Sequence, residues 1–334
     1  MQFGLQWCRP VKHIGLSSRG SRVQILNDEN PGWSTYKSIK FVPSLRSLGS
    51  FLDRKNFEIN PLIKDFENYI SRINDAIKKE LDLYSASEFF EPLQYALEGG
   101  KRIRPLILIL STESLSKNTE NAYVAACAVE LLHTESVIHD DIIDNEISRR
   151  RKDPFHIKYG YNTSIITGDF VLGLILNIAS RLDNARIARE LANTAMMMSD
   201  GEMIETRLES SEDITFDDYL KVIEYKTATA FEAASKIGAI LGGGNEDQIL
   251  ALAEYGKNMG IAYQIRDDLQ DWNNEEKLFN ILIKNSSDPR IIFDRMETLL
   301  KNYSAKAKTA LRKINDGPAR MRLESLLDLT MLSV

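Results

Sequence analysis

The sequence predicts an all-α fold, and three observations carry that expectation. Between Pro105 and Pro289 only Pro154 intervenes. Proline removes an N–H and clashes inside a helix, so such a stretch suits helices. Ala, Leu, Ile, Glu and Lys dominate it, and these residues give up little side-chain freedom in a helix. Hairpin signals are nearly missing: the stretch holds one Asp-Gly pair, Asp200-Gly201, and that pair falls inside a helical pattern.

The elements follow in order. Residues 1–55 are rich in Ser, Gly, Arg and aromatics, show no sustained 3.6-residue period and carry no acid before Asp28. They read as a poorly structured basic head, with a targeting segment as one reading of the same composition. From residue 56 to 334 the chain reads as one all-α domain. Asn60 is a plausible cap with Pro61 in the first turn of a helix over 61–81. Leu62, Ile63, Phe66, Tyr69, Ile70, Ile73 and Ile77 form its stripe. A second helix over about 88–98 stops at Gly99-Gly100, and a third starts around Ile103 to Pro105. The fourth, about 120–146, is nearly all apolar over 122–132 and should be central. Further helices are expected over about 164–181, 184–209, 215–241, 246–272, 288–312 and 317–331.

Composition bounds the function. With 334 residues, 43% hydrophobic and 27% charged, the chain allows one large or two ordinary domains and excludes bulk disorder. Cys8 and Cys127 are too few for a disulfide framework or a zinc site, and four His are too few for a His-rich metal site. No unbroken apolar stretch approaches the roughly 20 residues that cross a bilayer. A reducing, cytoplasmic setting is expected, with organellar import through the acid-poor head as the alternative. Nine Lys/Arg against four acids give residues 1–60 a charge of +5, which leaves −11 for the rest of a chain whose net is −6. An acidic body argues against a nucleic-acid surface.

Some of that acidity is gathered. The central helix ends in Asp140-Asp141-Ile142-Ile143-Asp144. Asp140 and Asp144 share a face, with Asp141 about 100° around. Three carboxylates ending an apolar helix repel one another, and oxygen-only ligands on one face suit Mg²⁺ completed by substrate phosphates. The pattern recurs 127 residues later as Asp267-Asp268-Leu269-Gln270-Asp271, where Gln264, Asp267 and Asp271 share a face. Facing each other across a bundle, the two motifs could hold metals around one diphosphate. Basic residues accompany them. Gly99-Gly100 precedes Lys101 and Arg104 at a helix start, Arg149, Arg150, Arg151 and Lys152 follow the first motif, and Lys226-Thr227 and His133 lie on helices. Helix N–H groups and these cations suit phosphate.

This set resembles the trans-isoprenyl diphosphate synthases, the short- and long-chain polyprenyl synthases, from about residue 60 to the C-terminus, with a geranylgeranyl diphosphate synthase-like member as one reading. The resemblance rests on residues 100–105, Glu130-Leu131-Leu132-His133, 139–144, Arg149-Arg150, Gly168-Asp169, Lys226-Thr227-Ala228 and 264–271. It implies a helical bundle with a central cavity, usually a homodimer and in some members a heteromer. It implies head-to-tail condensation of isopentenyl diphosphate with an allylic diphosphate. It assigns Mg²⁺ to Asp140, Asp141, Asp144, Asp267, Asp268 and Asp271. It assigns the allylic diphosphate to Arg149 and Lys226, with Gln264 and Thr227 nearby, and isopentenyl diphosphate to Lys101, Arg104, His133 and Arg150.

The match has departures. The glycine- and lysine-rich loop usual after the second motif is shortened to 272–280, Arg151 replaces a usual Gly, and Glu135 stands five residues before Asp140, where relatives often limit product length. With no bulky aromatic at Glu135 or Ser136, a C20 product is expected over C15. The shortened loop admits an alternative, a non-catalytic or weakly active partner subunit of a heteromeric synthase.

Overall fold

The computed structural model describes residues 59–149, 152–209, 211, 214–270, 272 and 278–331. The chain divides into Met1–Phe41 and Val42–Val334, and every described residue belongs to the second unit. The expected head, Arg150, Arg151 and Asp271 lie outside the described residues. Among those residues there is no β-strand; one isolated bridge joins Arg149 to Lys152.

The all-α expectation holds. Helix α1 (Ile59–Asp82) buries Phe66, Tyr69, Ile73, Ile77 and Leu81, the three-and-four spacing of one helical face. It is already formed at Ile59, so Asn60 lies inside it and does not cap it. Short α2 (Phe90–Leu97) ends before Gly99, whose φ of 81° few residues other than glycine adopt. Then come α3 (Ile103–Glu113), α4 (Glu120–Ile143), α5 (Phe155–Tyr159), α6 (Tyr161–Arg181) and α7 (Ala185–Glu209). The helix expected over 215–241 is instead α8 (Phe216–Ile223), a π-turn (Glu224–Ala228) and α9 (Thr229–Leu241). The fold closes with α10 (Glu246–Gln270), α11 (Leu278–Asn285), α12 (Pro289–Leu311) and α13 (Pro318–Met331).

Helix α4 is central, as its apolar first half requires. Alanines 122, 125, 126 and 128 are at most 1% exposed, and α1, α3, α6 and α9 pack around it. Small side chains let neighbouring helices come close. Helix α4 ends at Ile143 with Asp144 as its C-cap, three residues short of the expected end. The crossing of α9 and α10 is tighter still: a Cβ added at Gly256 would stand 2.4 Å from the Phe231 carbonyl oxygen. A second core gathers Tyr219, Ile223, Ile265, Phe279 and Met296 around the far half of α10. By length and composition α6 alone among the described helices qualifies as a membrane span. Its Val171, Leu174, Ile175 and Ile178 face are buried in the main core, as in the inner helix of a bundle.

Candidate active site

Helix geometry splits the first acidic motif as its spacing requires. Asp140 and Asp144 turn toward α7 and the π-turn, whereas Asp141 turns away and pairs through Oδ1 with Arg149 Nε. Asp141 is buried, and burial raises its carboxyl, with Arg149 opposing. Asp140 carries the larger effect: burial pushes it up to about 8, Lys226 opposes, and Glu202 and Asp144 add repulsion. Burial also raises Asp144.

Lys226 sits among these acids. Its ammonium donates to Glu205 Oε2 at 2.6 Å, pairs with Glu202 Oε2 at 2.6 Å and lies 3.8 Å from Asp140 Oδ1. Burial alone would lower the lysine; Asp140, Glu205 and Glu202 reverse this and hold it above its ordinary value. Glu202 and Glu205 did not figure in the sequence reading, where two acids on a helix look like a solvated face. Their signal was the spacing Gly201-Glu202-x-x-Glu205, a glycine inside a helix followed by acids three apart.

Thr227, the next residue, faces the second motif. Its hydroxyl donates to Gln264 Oε1 at 3.0 Å, Gln264 Nε2 donates to Asp268 Oδ1 at 2.9 Å, and the buried Tyr219 hydroxyl donates to Asp268 Oδ2 at 2.5 Å. Burial and the Asp268 carboxylate hold the Tyr219 phenol well above its usual range. Asp268 is therefore enclosed by protein partners. Asp267 is more open and pairs with Arg266. One π-turn thus reaches the first acidic motif directly through Lys226 and the second at one remove, through Thr227 and Gln264. π-turns recur at functional sites because the extra residue redirects side chains within a helix.

The basic residues arrive from two sides. Lys101 Nζ donates to the Tyr263 hydroxyl at 3.3 Å, and Arg104 stacks over Phe231 at 4.7 Å, so Lys101 lies against α10 and Arg104 against α9. Arg102 between them turns inward: it donates to Glu130 Oε1 at 2.5 Å, Asn74 Oδ1 at 2.9 Å and the Leu97 carbonyl. Arg149 and Lys152 exchange two backbone hydrogen bonds of 2.9 Å. Lys152 pairs with Glu98, and Tyr95 donates to the Asp153 carbonyl at 2.7 Å. The loop carrying Arg149 is thereby tied to the end of α2, next to Gly99-Gly100-Lys101. His133 is half-buried on α4, one turn beyond Glu130. Glu135 pairs with His139 Nδ1 at 3.3 Å, and burial raises its carboxyl.

The donor set fits a hard divalent cation. Asp140, Asp144 and Asp267 offer only oxygen, as do Glu202 and Glu205, both already paired with Lys226 at 2.6 Å. Among the described residues no three carboxylate, His or Cys side chains close into a ligand group; Lys226, Arg149 and Arg266 neutralise them instead.

The family model for polyprenyl synthetases matches residues 86–285. A geranylgeranyl diphosphate synthase of Methanosarcina mazei is 34% identical over 223 residues, which is 65% of this chain and 69% of that enzyme. A geranylfarnesyl diphosphate synthase of the same organism is 29% identical over 277 residues, 80% of this chain and 92% of its own. The crystal structure of a Caulobacter crescentus polyprenyl synthase, complexed with calcium and isoprenyl diphosphate, superposes with a TM-score of 0.70 at 25% identity, covering 83% of this chain and 98% of that one. The chain belongs to the polyprenyl synthetase family and is a prenyltransferase.

Proposed function

We propose that the enzyme condenses isopentenyl diphosphate head-to-tail with an allylic diphosphate, using Mg²⁺, to make a C15 to C20 prenyl diphosphate, C20 by preference. The observation that carries this is the π-turn: Lys226 and Thr227 serve the two acidic motifs from adjacent positions. Asp140, Asp144 and Asp267 would hold the metal, with Glu202 and Glu205 beside them and Asp271 completing the second motif. A bound divalent cation neutralises the diphosphate and stabilises its departure. Lys226 and Arg149 would hold the allylic diphosphate, whose C–O bond breaks to leave an allyl cation. Lys101, Arg104, His133 and Arg150 would fix isopentenyl diphosphate so that its double bond attacks that cation, forming the new C–C bond. The proton then lost goes to the released diphosphate, so no dedicated protein base is needed. Apolar helix faces around α4 would keep water from the cation.

The calcium and isoprenyl diphosphate bound to the Caulobacter enzyme support a divalent metal and a diphosphate here. The named product of the M. mazei relative supports C20, as does the small Ser136. A homodimer is supported by the apolar residues that α6 and α7 expose, Ile165, Leu172, Leu176, Met196 and Met203. We place the enzyme in the cytoplasm, and fractionation of cells carrying the tagged chain tests this against organellar import. The decisive assay incubates the purified chain with Mg²⁺, isopentenyl diphosphate and labelled C5, C10 or C15 allylic primers, then chromatographs the products. A C20 product lost on chelation is the expected result. No elongation with any primer, where a control synthase works, would overturn the reading.

A further inference from the structure

We infer that Gly201, Glu202 and Glu205 of α7 form a cradle that sets the position of the Lys226 ammonium, and that the two glutamates govern allylic diphosphate binding through that lysine. The inference rests on Lys226 being an allylic diphosphate ligand, as proposed above.

Three features converge on one ammonium. The first is backbone proximity. A Cβ built at Gly201 would stand 2.7 Å from the Lys226 backbone nitrogen and 3.1 Å from its Cα. Real Cβ atoms do not approach backbone that closely, so α7 and the π-turn meet only because position 201 lacks a side chain. Glycine is otherwise a poor helix residue, which explains an Asp-Gly pair in the middle of a 25-residue helix. The second is register. Residues 202 and 205 are three apart, hence on one face, and both place Oε2 at 2.6 Å from Nζ. The third is the π-turn itself, whose extra residue aims Lys226 at α7 and Asp140 while Thr227 reaches Gln264.

The physical effect is preorganisation. A lysine side chain has a flexible four-carbon stem and loses much rotamer freedom on binding an anion. Two carboxylates on one side hold the stem in place before the diphosphate arrives. The ammonium has three donors; its two short contacts, at 2.6 Å, go to Glu202 and Glu205, while Asp140 stands farther off at 3.8 Å. Glu202 and Glu205 are thus positioning residues.

The test uses full-length enzyme with Mg²⁺ and both substrates. Glu205→Gln and the double variant Glu202→Gln/Glu205→Gln should raise the KM for the allylic diphosphate about tenfold, the loss typical of one charge-assisted hydrogen bond. The KM for isopentenyl diphosphate should stay within about twofold. Gly201→Ala keeps every charge but pushes the π-turn away, and should show the same split. In a Lys226→Ala background, Glu205→Gln should change allylic binding less than about twofold, because the glutamate acts through the lysine. Calorimetry with an unreactive allylic diphosphate analogue reads that cycle even where turnover is lost. An undiminished effect of Glu205→Gln in the Lys226→Ala background overturns the inference. So does a lowered allylic KM, which would mean that the glutamates compete with the diphosphate. A shift confined to Mg²⁺ half-saturation also overturns it, because the glutamates would then be acting on the metal. Unchanged analogue binding in Lys226→Ala itself would remove the lysine's assignment and the inference with it, while product formation by the unaltered chain would still support the synthase reading.

Discussion

Arg102 adopts φ 55°, a left-handed conformation that costs a side-chain-bearing residue energy. Three acceptors on α1, α2 and α4 hold it there, Asn74, the Leu97 carbonyl and Glu130. The Arg102 and Glu130 side chains are 7% and 4% exposed. Breaking such a pair from one side leaves an uncompensated buried charge, so Arg102→Ala should destabilise the fold by about 3–5 kcal/mol in urea titrations. The double variant Arg102→Met/Glu130→Leu should recover most of that loss, since no charge is then stranded. The sequence reading took Lys101 and Arg104 for the site and left Arg102 between them without a role; the tertiary structure supplies one, an inward pair with Glu130. Cys127 gives a second expectation at this scale. Burial pushes its thiol up to about 12, and the sulfur donates to the Tyr123 carbonyl at 3.2 Å. Thiolate is the reactive form, so mass spectrometry should find Cys127 unalkylated at pH 8 in the native chain and alkylated once the chain is unfolded.

Long helices were legible in the sequence to within a few residues, because amphipathic periodicity accumulates over several turns. The exceptions have physical causes. Helices α5 and α11 are 5 and 8 residues long, and neither ends in the Gly-Gly stop that marked the equally short α2. The π-turn over Glu224–Ala228 interrupts a stretch that the sequence reading took as one helix over 215–241. Gly256 shows how packing overrides propensity. In an exposed helix, Gly→Ala stabilises by about 1 kcal/mol. Here the added carbon meets a backbone carbonyl that cannot rotate away. Overpacking costs about 1–3 kcal/mol, so Gly256→Ala should lower the Tm, and circular dichroism on heating checks the sign.

For the molecule as a whole, fold class and both acidic motifs were readable from residue pattern, and the comparisons bear out the family that those motifs suggested. What the pattern could not show was the pairing of acids from α4 with acids from α7 around one lysine, because that meeting depends on how helices cross. The proposed dimer belongs to this scale too. Leu172→Glu with Leu176→Glu places charge on the exposed face of α6, and light scattering should report half the mass of the unaltered protein. The π-turn has one more consequence, for gene exchange. Lys226 and Thr227 are neighbours in the chain yet serve motifs 127 residues apart. A crossover with a related gene between residues 145 and 223 would set one parent's first motif against the other parent's turn. Crossovers outside 140–271 would inherit all three parts together, so functional chimeras should break there.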